Sequence, residues 1–220
     1  IQSFSVHATC LSFLIGFETA AERLQFGRVD HVLIVSTEVA HPGLSTEPEV
    51  ATLFGDAAAA VVLTRTPAGE GSAVHSFAFH TYGDGADLTA CFGGGMRRHP
   101  CSPGVRAEES QFVMRGPEVL RMAVERAPAL MQALGVSEIA DQVDCVIAHQ
   151  TSKAGLNAMS LLGFERSKVE RTLDKAGNCV AASIPLTLHQ AIRRGALNRG
   201  ELALLCGTGA GLCLGGMVLT

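Results

Sequence analysis

Charge is sparse in this 220-residue chain: 17% of its residues are Asp, Glu, Lys or Arg, and acidic residues outnumber basic ones 21 to 17, for a formal net charge of −4. That balance lacks the basic footprint with which nucleic-acid binders meet phosphates. The seven cysteines are odd in number and contain no C-x-x-C pair. This argues against a disulfide framework or a cysteine-rich zinc site and suits a reducing cytoplasm. No apolar run is long enough to span a bilayer. The one apolar stretch resembling a signal-peptide core, residues 11–17, has no Lys or Arg ahead of it and is followed at once by Glu18. Tryptophan is absent altogether. Residue 1 is Ile rather than Met, so the chain is expected to be a fragment or a processed piece.

What is present is apolar and periodic. At 47% hydrophobic, the chain can bury a substantial core and reads as one or two globular domains. Residues 1–8 suit a strand, 10–26 a largely buried helix stopped by Gly27, and 31–37 (HVLIVST) a second buried strand. Together these predict a βαβ unit with a right-handed crossover and a parallel sheet. A turn at Gly55–Asp56 leads into the apolar AAAAVVLT, and residues 73–80 (AVHSFAFH) alternate as a strand should. Residues 82–111, rich in Gly and Pro, read as a long surface loop. Beyond it lie a helix over 117–134 kinked or broken near Pro128, a strand over 143–148, helices over 151–162 and 181–194, and strands over 202–205 and 212–219. The pattern is a layered α/β protein.

Three residues stand at junctions between these elements. Cys10 sits at a predicted helix start, where unpaired N–H groups and the helix dipole favour a thiolate; taken alone, a buried packing cysteine is the more frequent explanation. His149, in VDCVIAHQTS, follows the C-terminal end of a buried strand, where open α/β sheets gather their ligands, although a lone histidine there is more often structural. Asn178, in LDKAGNCVAASIPL, follows a glycine ahead of a helix, where N-capping alone would account for it. Together they form a nucleophile, an imidazole and an amide donor that could converge. The segment LLCGTGAGLCLGG lets backbone approach a ligand closely and could supply half of an oxyanion hole, or merely a tight β-turn. It is no dinucleotide fingerprint, because Leu212 and Leu214 stand where G-x-G-x-x-G needs glycine.

The motifs HATCLSF, LFGDAAAAVVL, AHQTS, GNCVAASIPL and GTGAGLCLGGMVL, in that order and separated by whole elements, resemble the β-ketoacyl-acyl-carrier-protein synthase III group of thiolase-fold condensing enzymes. The resemblance covers essentially the whole chain. It implies a thiolase-like fold, a layered α/β/α/β/α arrangement of two similar βαβαβ halves. Residues 1–70 would be the C-terminal part of an incomplete first half carrying the cysteine, and residues 71–220 the second half carrying the histidine and asparagine.

By matching motif, Cys10 would carry the acyl group while His149 and Asn178 serve decarboxylation. An oxyanion hole would come from backbone N–H groups of Cys10 and of Gly209, Ala210 and Gly211. The implied reaction is a decarboxylative Claisen condensation of an acyl-cysteine with a malonyl thioester, in fatty-acid, polyketide or related biosynthesis. No metal and no bound cofactor is implied. The substrates would be coenzyme A or phosphopantetheine thioesters, with an acyl carrier protein as a further partner. The implied assembly is a cytoplasmic homodimer with residues 1–8 at its interface. Arg97 and Arg98, in the glycine-flexed loop, could meet substrate phosphates or form a solvated basic loop. Lys153 is the single basic residue between His149 and Arg166 on which a carrier could dock.

Three alternatives stand beside this reading. A papain-like protease uses Cys, His and Asn in this order, but ATCLSF lacks that family's signature. A catalytically silent partner subunit would have lost the cysteine or histidine, and both are here. A non-decarboxylating acyltransferase forming esters or amides on the same fold is the nearest competitor, and Asn178 favours decarboxylation over it.

Overall fold

The computed structural model describes residues 1–40, 43–44, 48–96, 98–99 and 101–220. Residues 1–8 form no strand, and Phe4 is 57% exposed. Alternating apolar residues become a strand only beside a partner that takes their N–H and C=O groups, and among the described residues none does so here. A short 3-10 turn, Thr9–Leu11, then opens helix α1, Ser12–Gln25. Ser12 closes this entry by accepting the Ala8 N–H at 3.0 Å and donating to the Thr9 carbonyl at 2.7 Å. Phe13, Leu14, Ala20 and Leu24 form the buried face of α1.

Strand β1, His31–Glu38, comes next, then the single turn α2, Pro48–Ala51, and strand β2, Ala57–Thr64. β1 and β2 pair antiparallel, with Val35 opposite Ala60 and Glu38 opposite Ala57. The expected parallel βαβ unit over residues 1–37 therefore does not form. Ile34 and Val61 pack toward α1, whereas Leu33, Val35 and Val62 on the other face are exposed.

The rest of the chain builds a second sheet. Strand β3, Val74–Thr81, leads into the region expected to be loop. That region instead contains strand β4, Thr89–Cys91, which pairs antiparallel with β5, Phe112–Met114. Helix α3, Gly116–Ala133, runs unbroken through Pro128. The proline costs about 3 kcal/mol, and burial of Leu130, Met131 and the following Leu134, at about 1.5–3 kcal/mol each, outweighs that cost. Strand β6, Cys145–Ala148, is followed by the short helix α4, Lys153–Ala158, which tightens into a 3-10 turn over Met159–Leu162. The single turn α5, Leu173–Ala176, precedes helix α6, Ser183–Arg193, and strands β7, Ala203–Gly209, and β8, Cys213–Leu219, close the chain.

The sheet order is β3-β8-β7-β6, with β6 and β7 parallel and the other pairs antiparallel. Side chains alternate across it. Val146, Leu204 and Leu214 join Met122, Leu130 and Met131 of α3 on one face. Ile147, Leu205 and Met217 join Phe13 and Leu14 of α1 and Ile184 and Leu188 of α6 on the other. Burial on both faces explains why these strands read as continuous apolar runs. Among the described residues, no helix is long and apolar enough to cross a membrane.

Candidate active site

The ends of β1, β6 and β7, the 3-10 turn before α1 and the loop before α6 surround one cavity of about 1260 Å³. Cys10, His149, Asn178 and the Gly207–Ala210 backbone all line it. The three side chains singled out from the sequence thus meet at one place, although 139 and 168 positions separate Cys10 from the other two.

Cys10 is half-buried on its 3-10 turn, and backbone groups of Cys10 and Ala210 hydrogen-bond its sulfur. Desolvation, with the negative charge of Glu38 added, pushes its thiol up to about 12. The helix-start argument predicted the reverse. A three-residue 3-10 turn offers little dipole, and loss of water around sulfur outweighs the N–H groups that reach it. The residue before it, Thr9, has φ 49, and Val180, two residues after Asn178, has φ 45. Both are β-branched residues held in the left-handed region, at a cost of about 1–3 kcal/mol each.

The last two strands close over this turn. A Cβ at Gly209 would lie 2.8 Å from Thr9 Oγ1 and 3.3 Å from the Ala8 carbonyl, and one at Gly207 would lie 2.5 Å from His149 Cβ. Glycine is needed at both positions because the Cys10 turn and His149 press directly on the β7 backbone. This contact brings the Ala210 backbone to the Cys10 sulfur, as the proposed oxyanion hole requires.

His149 is 3% exposed, and burial lowers its pKa to about 4, so its ring is neutral at pH 7. Its Nδ1 is buried without a hydrogen-bond partner among the described residues. An unmatched buried N–H is less tolerable than an unmatched acceptor, which places the ring proton on Nε2. Asn178, 4% exposed, is pinned at both backbone atoms: its N–H donates to the Leu53 carbonyl at 2.8 Å, and its carbonyl accepts the Gly55 N–H at 3.1 Å. Its Oδ1 accepts the Val180 N–H at 3.0 Å, so the amide NH2 remains the donor end. The cavity therefore presents two neutral donor side chains together with the Cys10 sulfur.

Other expected residues lie elsewhere. Arg98 does not line the cavity; its guanidinium is engaged by Glu109 and reaches the Gly104 carbonyl at 3.5 Å. Arg97 lies outside the described residues. Lys153 opens α4 beside the cavity-lining Ser152 and pairs with Asp174 at 3.3 Å without lining the cavity itself. All seven cysteines are free.

Sequence reasoning passed over two residues. Gln150, fully buried, donates to the Ala148 and Glu170 carbonyls at 2.8 and 3.2 Å and accepts the Thr172 and Leu173 N–H groups at 2.9 and 3.0 Å. It fixes the turn that carries His149. Glu38, at the end of β1, lines the cavity. Its place beside Cys10 depends on a strand 28 residues away and leaves no local signal.

Comparison with known proteins agrees with this geometry. Residues 4–83 match the family described as 3-Oxoacyl-[acyl-carrier-protein (ACP)] synthase III, and residues 132–220 match its C-terminal counterpart. A β-ketoacyl-[acyl-carrier-protein] synthase III of Desulfitobacterium hafniense is 35% identical over 98% of this chain and 66% of its own length. The acetoacetyl CoA synthase NphT7 of a Streptomyces species is 32% identical over 96% of this chain and 65% of its own. A third relative, from Streptomyces coelicolor, is 32% identical over 100% of this chain and 67% of its own. The crystal structure of the 3-oxoacyl-[acyl-carrier-protein] synthase III of Aquifex aeolicus superposes with a TM-score of 0.85 at 27% identity, covering 100% of this chain and 67% of that one. The fold is thus the thiolase-like α/β fold, and the chain spans about two thirds of the length of the curated relatives it matches.

Proposed function

The chain belongs to the 3-oxoacyl-[acyl-carrier-protein] synthase III family, and from that premise we propose that it carries the catalytic residues of a decarboxylative Claisen condensation, with Cys10 the acylated nucleophile. The observation that carries this reading is the meeting of Cys10, His149, Asn178 and the Ala210 backbone on one cavity. In this reading residues 1–70 belong to the half that supplies the cysteine and residues 71–220 to the half that supplies the two donors.

The Cys10 sulfur attacks the carbonyl of an acyl thioester of coenzyme A or phosphopantetheine. The incoming thiol's proton passes to the departing thiolate, so the step is a thiol–thioester exchange. Because the free thiol ionises only near pH 12, the bound thioester has to be attacked inside the cavity. There the N–H groups of Cys10 and Ala210 shift from sulfur to the developing oxyanion. A malonyl thioester then loses carbon dioxide, and its enolate oxygen takes hydrogen bonds from His149 Nε2–H and the Asn178 amide. The enolate carbon attacks the acyl-Cys10 carbonyl, and collapse of that adduct expels the Cys10 thiolate, which takes up a proton from water, and releases a β-ketoacyl thioester. A neutral imidazole suits this role, since it donates without having to lose a charge.

Condensation accounts for two donors beside the cysteine, whereas ester or amide transfer uses only the sulfur and the oxyanion hole. One relative is named for acetoacetyl CoA and the others for carrier-protein substrates, so both thioester carriers belong in the assay. A homodimer joined through residues 1–8 fits the exposure of Ile1 and Phe4. The test is mass spectrometry after incubation with acyl-CoA, followed by product analysis with malonyl thioesters. The reading requires the adduct on Cys10. It also requires Asn178→Ala to lose decarboxylation by about 10²–10³ while acylation survives. Adducts confined to Cys91 or Cys101, or ester products with condensation unaffected by Asn178→Ala, would overturn it.

A further inference from the structure

Among the described residues, Glu38 and Glu118 are the carboxylates that line the cavity, and the reaction as written gives Glu38, at the end of β1, no task. Its Oε1 accepts the N–H of Ala181 at 3.3 Å. The neighbouring N–H, of Val180, goes to Asn178 Oδ1. Two successive donors of the 3-10 turn entering α6 are therefore divided between Asn178 and Glu38. Val180, between them, is held at φ 45, a conformation that persists only where its surroundings impose it. The same carboxylate carries the charge that acts on the Cys10 sulfur.

The ionisable groups around it come from several elements. His7 and Cys10 lie on the N-terminal segment, His149 beyond β6, and Arg115 and Glu118 at the start of α3 across the cavity. Asp56 precedes β2, and Cys179 feels both Asp56 and Glu38.

We propose that Glu38 is a positioning residue for the Asn178 amide, and that its negative charge, facing the cavity it shares with Cys10, opposes a free thiolate there, so that one carboxylate restrains the sulfur and aims the enolate donor. The positioning half rests on the reading of Asn178 as a decarboxylation donor; the electrostatic half does not.

Two measurements separate these halves. The first follows the pH dependence of Cys10 alkylation by iodoacetamide, in which sulfur displaces iodide and the thiol proton goes to solvent, read on the Cys10 peptide by mass spectrometry with Cys101, exposed and away from the cavity lining, as the internal reference. Glu38→Gln removes the charge and keeps an acceptor for Ala181. Its Cys10 midpoint should fall by about one pH unit, roughly tenfold more thiolate at a fixed pH below the midpoint. Glu38→Asp keeps the charge but shortens the reach to Ala181, so its midpoint should stay with the wild type.

The second measurement is decarboxylation of a malonyl thioester, where the order reverses. Glu38→Asp should fall by about tenfold, since a displaced amide weakens a transition-state hydrogen bond, and Glu38→Gln, which restores an acceptor of full length, should recover most of that loss. Both variants retain a polar side chain and are checked for native unfolding midpoints first. An unmoved Cys10 midpoint in Glu38→Gln overturns the electrostatic half even if no condensation is ever detected. Equal decarboxylation in wild type, Gln and Asp overturns the positioning half.

Discussion

Replacing His149 with Asn should flatten the acid side of the protein's stability curve. The ring titrates at about 4 in the fold against an ordinary 6.5, because burial penalises its charged form. Between those values the unfolded chain binds a proton that the native state refuses, so stability is complete above pH 6.5 and is lost as pH falls toward 4. At about 1.4 kcal/mol per pH unit, the loss grows from about 1 kcal/mol near pH 5.5 to about 3 kcal/mol below pH 4.5. Against a typical total of about 5–15 kcal/mol this is a large fraction. His149→Asn leaves a neutral polar group that does not titrate, while every other titrating group is common to the two proteins. Urea unfolding of both, in steps from about pH 7.5 to about 4.5, gives a difference that isolates the ring. The wild type should lose those amounts relative to the variant. A constant difference across the range would mean that the imidazole accepts a proton in the fold, and the neutral-donor role assigned to it would fail with it.

Two other substitutions test the frame around the site. Gln150→Leu preserves volume but strands two carbonyls and two N–H groups inside the protein; urea unfolding should show a loss of about 3–5 kcal/mol, and a loss below about 1 kcal/mol would show that the turn holds without it. Gly209→Ala drives a methyl group to 2.8 Å from Thr9 Oγ1, so acylation of Cys10 should fall by about 100-fold with far-UV circular dichroism unchanged. Adding Thr9→Ala should recover part of that loss, and independent, additive effects of the two changes would exclude the contact as the cause.

Much of the fold was legible because periodicity is a local property. The helices around Phe13, Leu130 and Leu188, and the buried strands of the second sheet, follow directly from spacing. What failed depended on partners. Residues 1–8 alternate like a strand, yet alternation does not say whether another backbone lies alongside. β4 and β5 are three residues each and escaped notice because their pairing spans more than twenty positions. The ion pair of Arg98 with Glu109 was equally hidden, because the folding of the loop brings the two together.

The site divides along the same line. Residue types and junction positions pointed to Cys10, His149 and Asn178, but the state of the sulfur did not follow from its own neighbourhood. A helix-start argument considers only the following N–H groups, whereas burial in the folded chain removes water from the sulfur and a like charge comes from β1. The strain at Thr9 and Val180 is hidden in the same way, since a sequence reader expects glycine where φ is positive. Among the described residues these are the only two non-glycine residues with positive φ, and they stand next to Cys10 and within the Asn178 turn. Their conformations cost about 1–3 kcal/mol each. At Thr9 the glycines of β7 leave room for that strained turn. At Val180 the N–H bonds to Asn178 and, one residue on, to Glu38 hold the chain in place. The strain therefore sits where two side chains must be aimed at one cavity from opposite ends of the sequence.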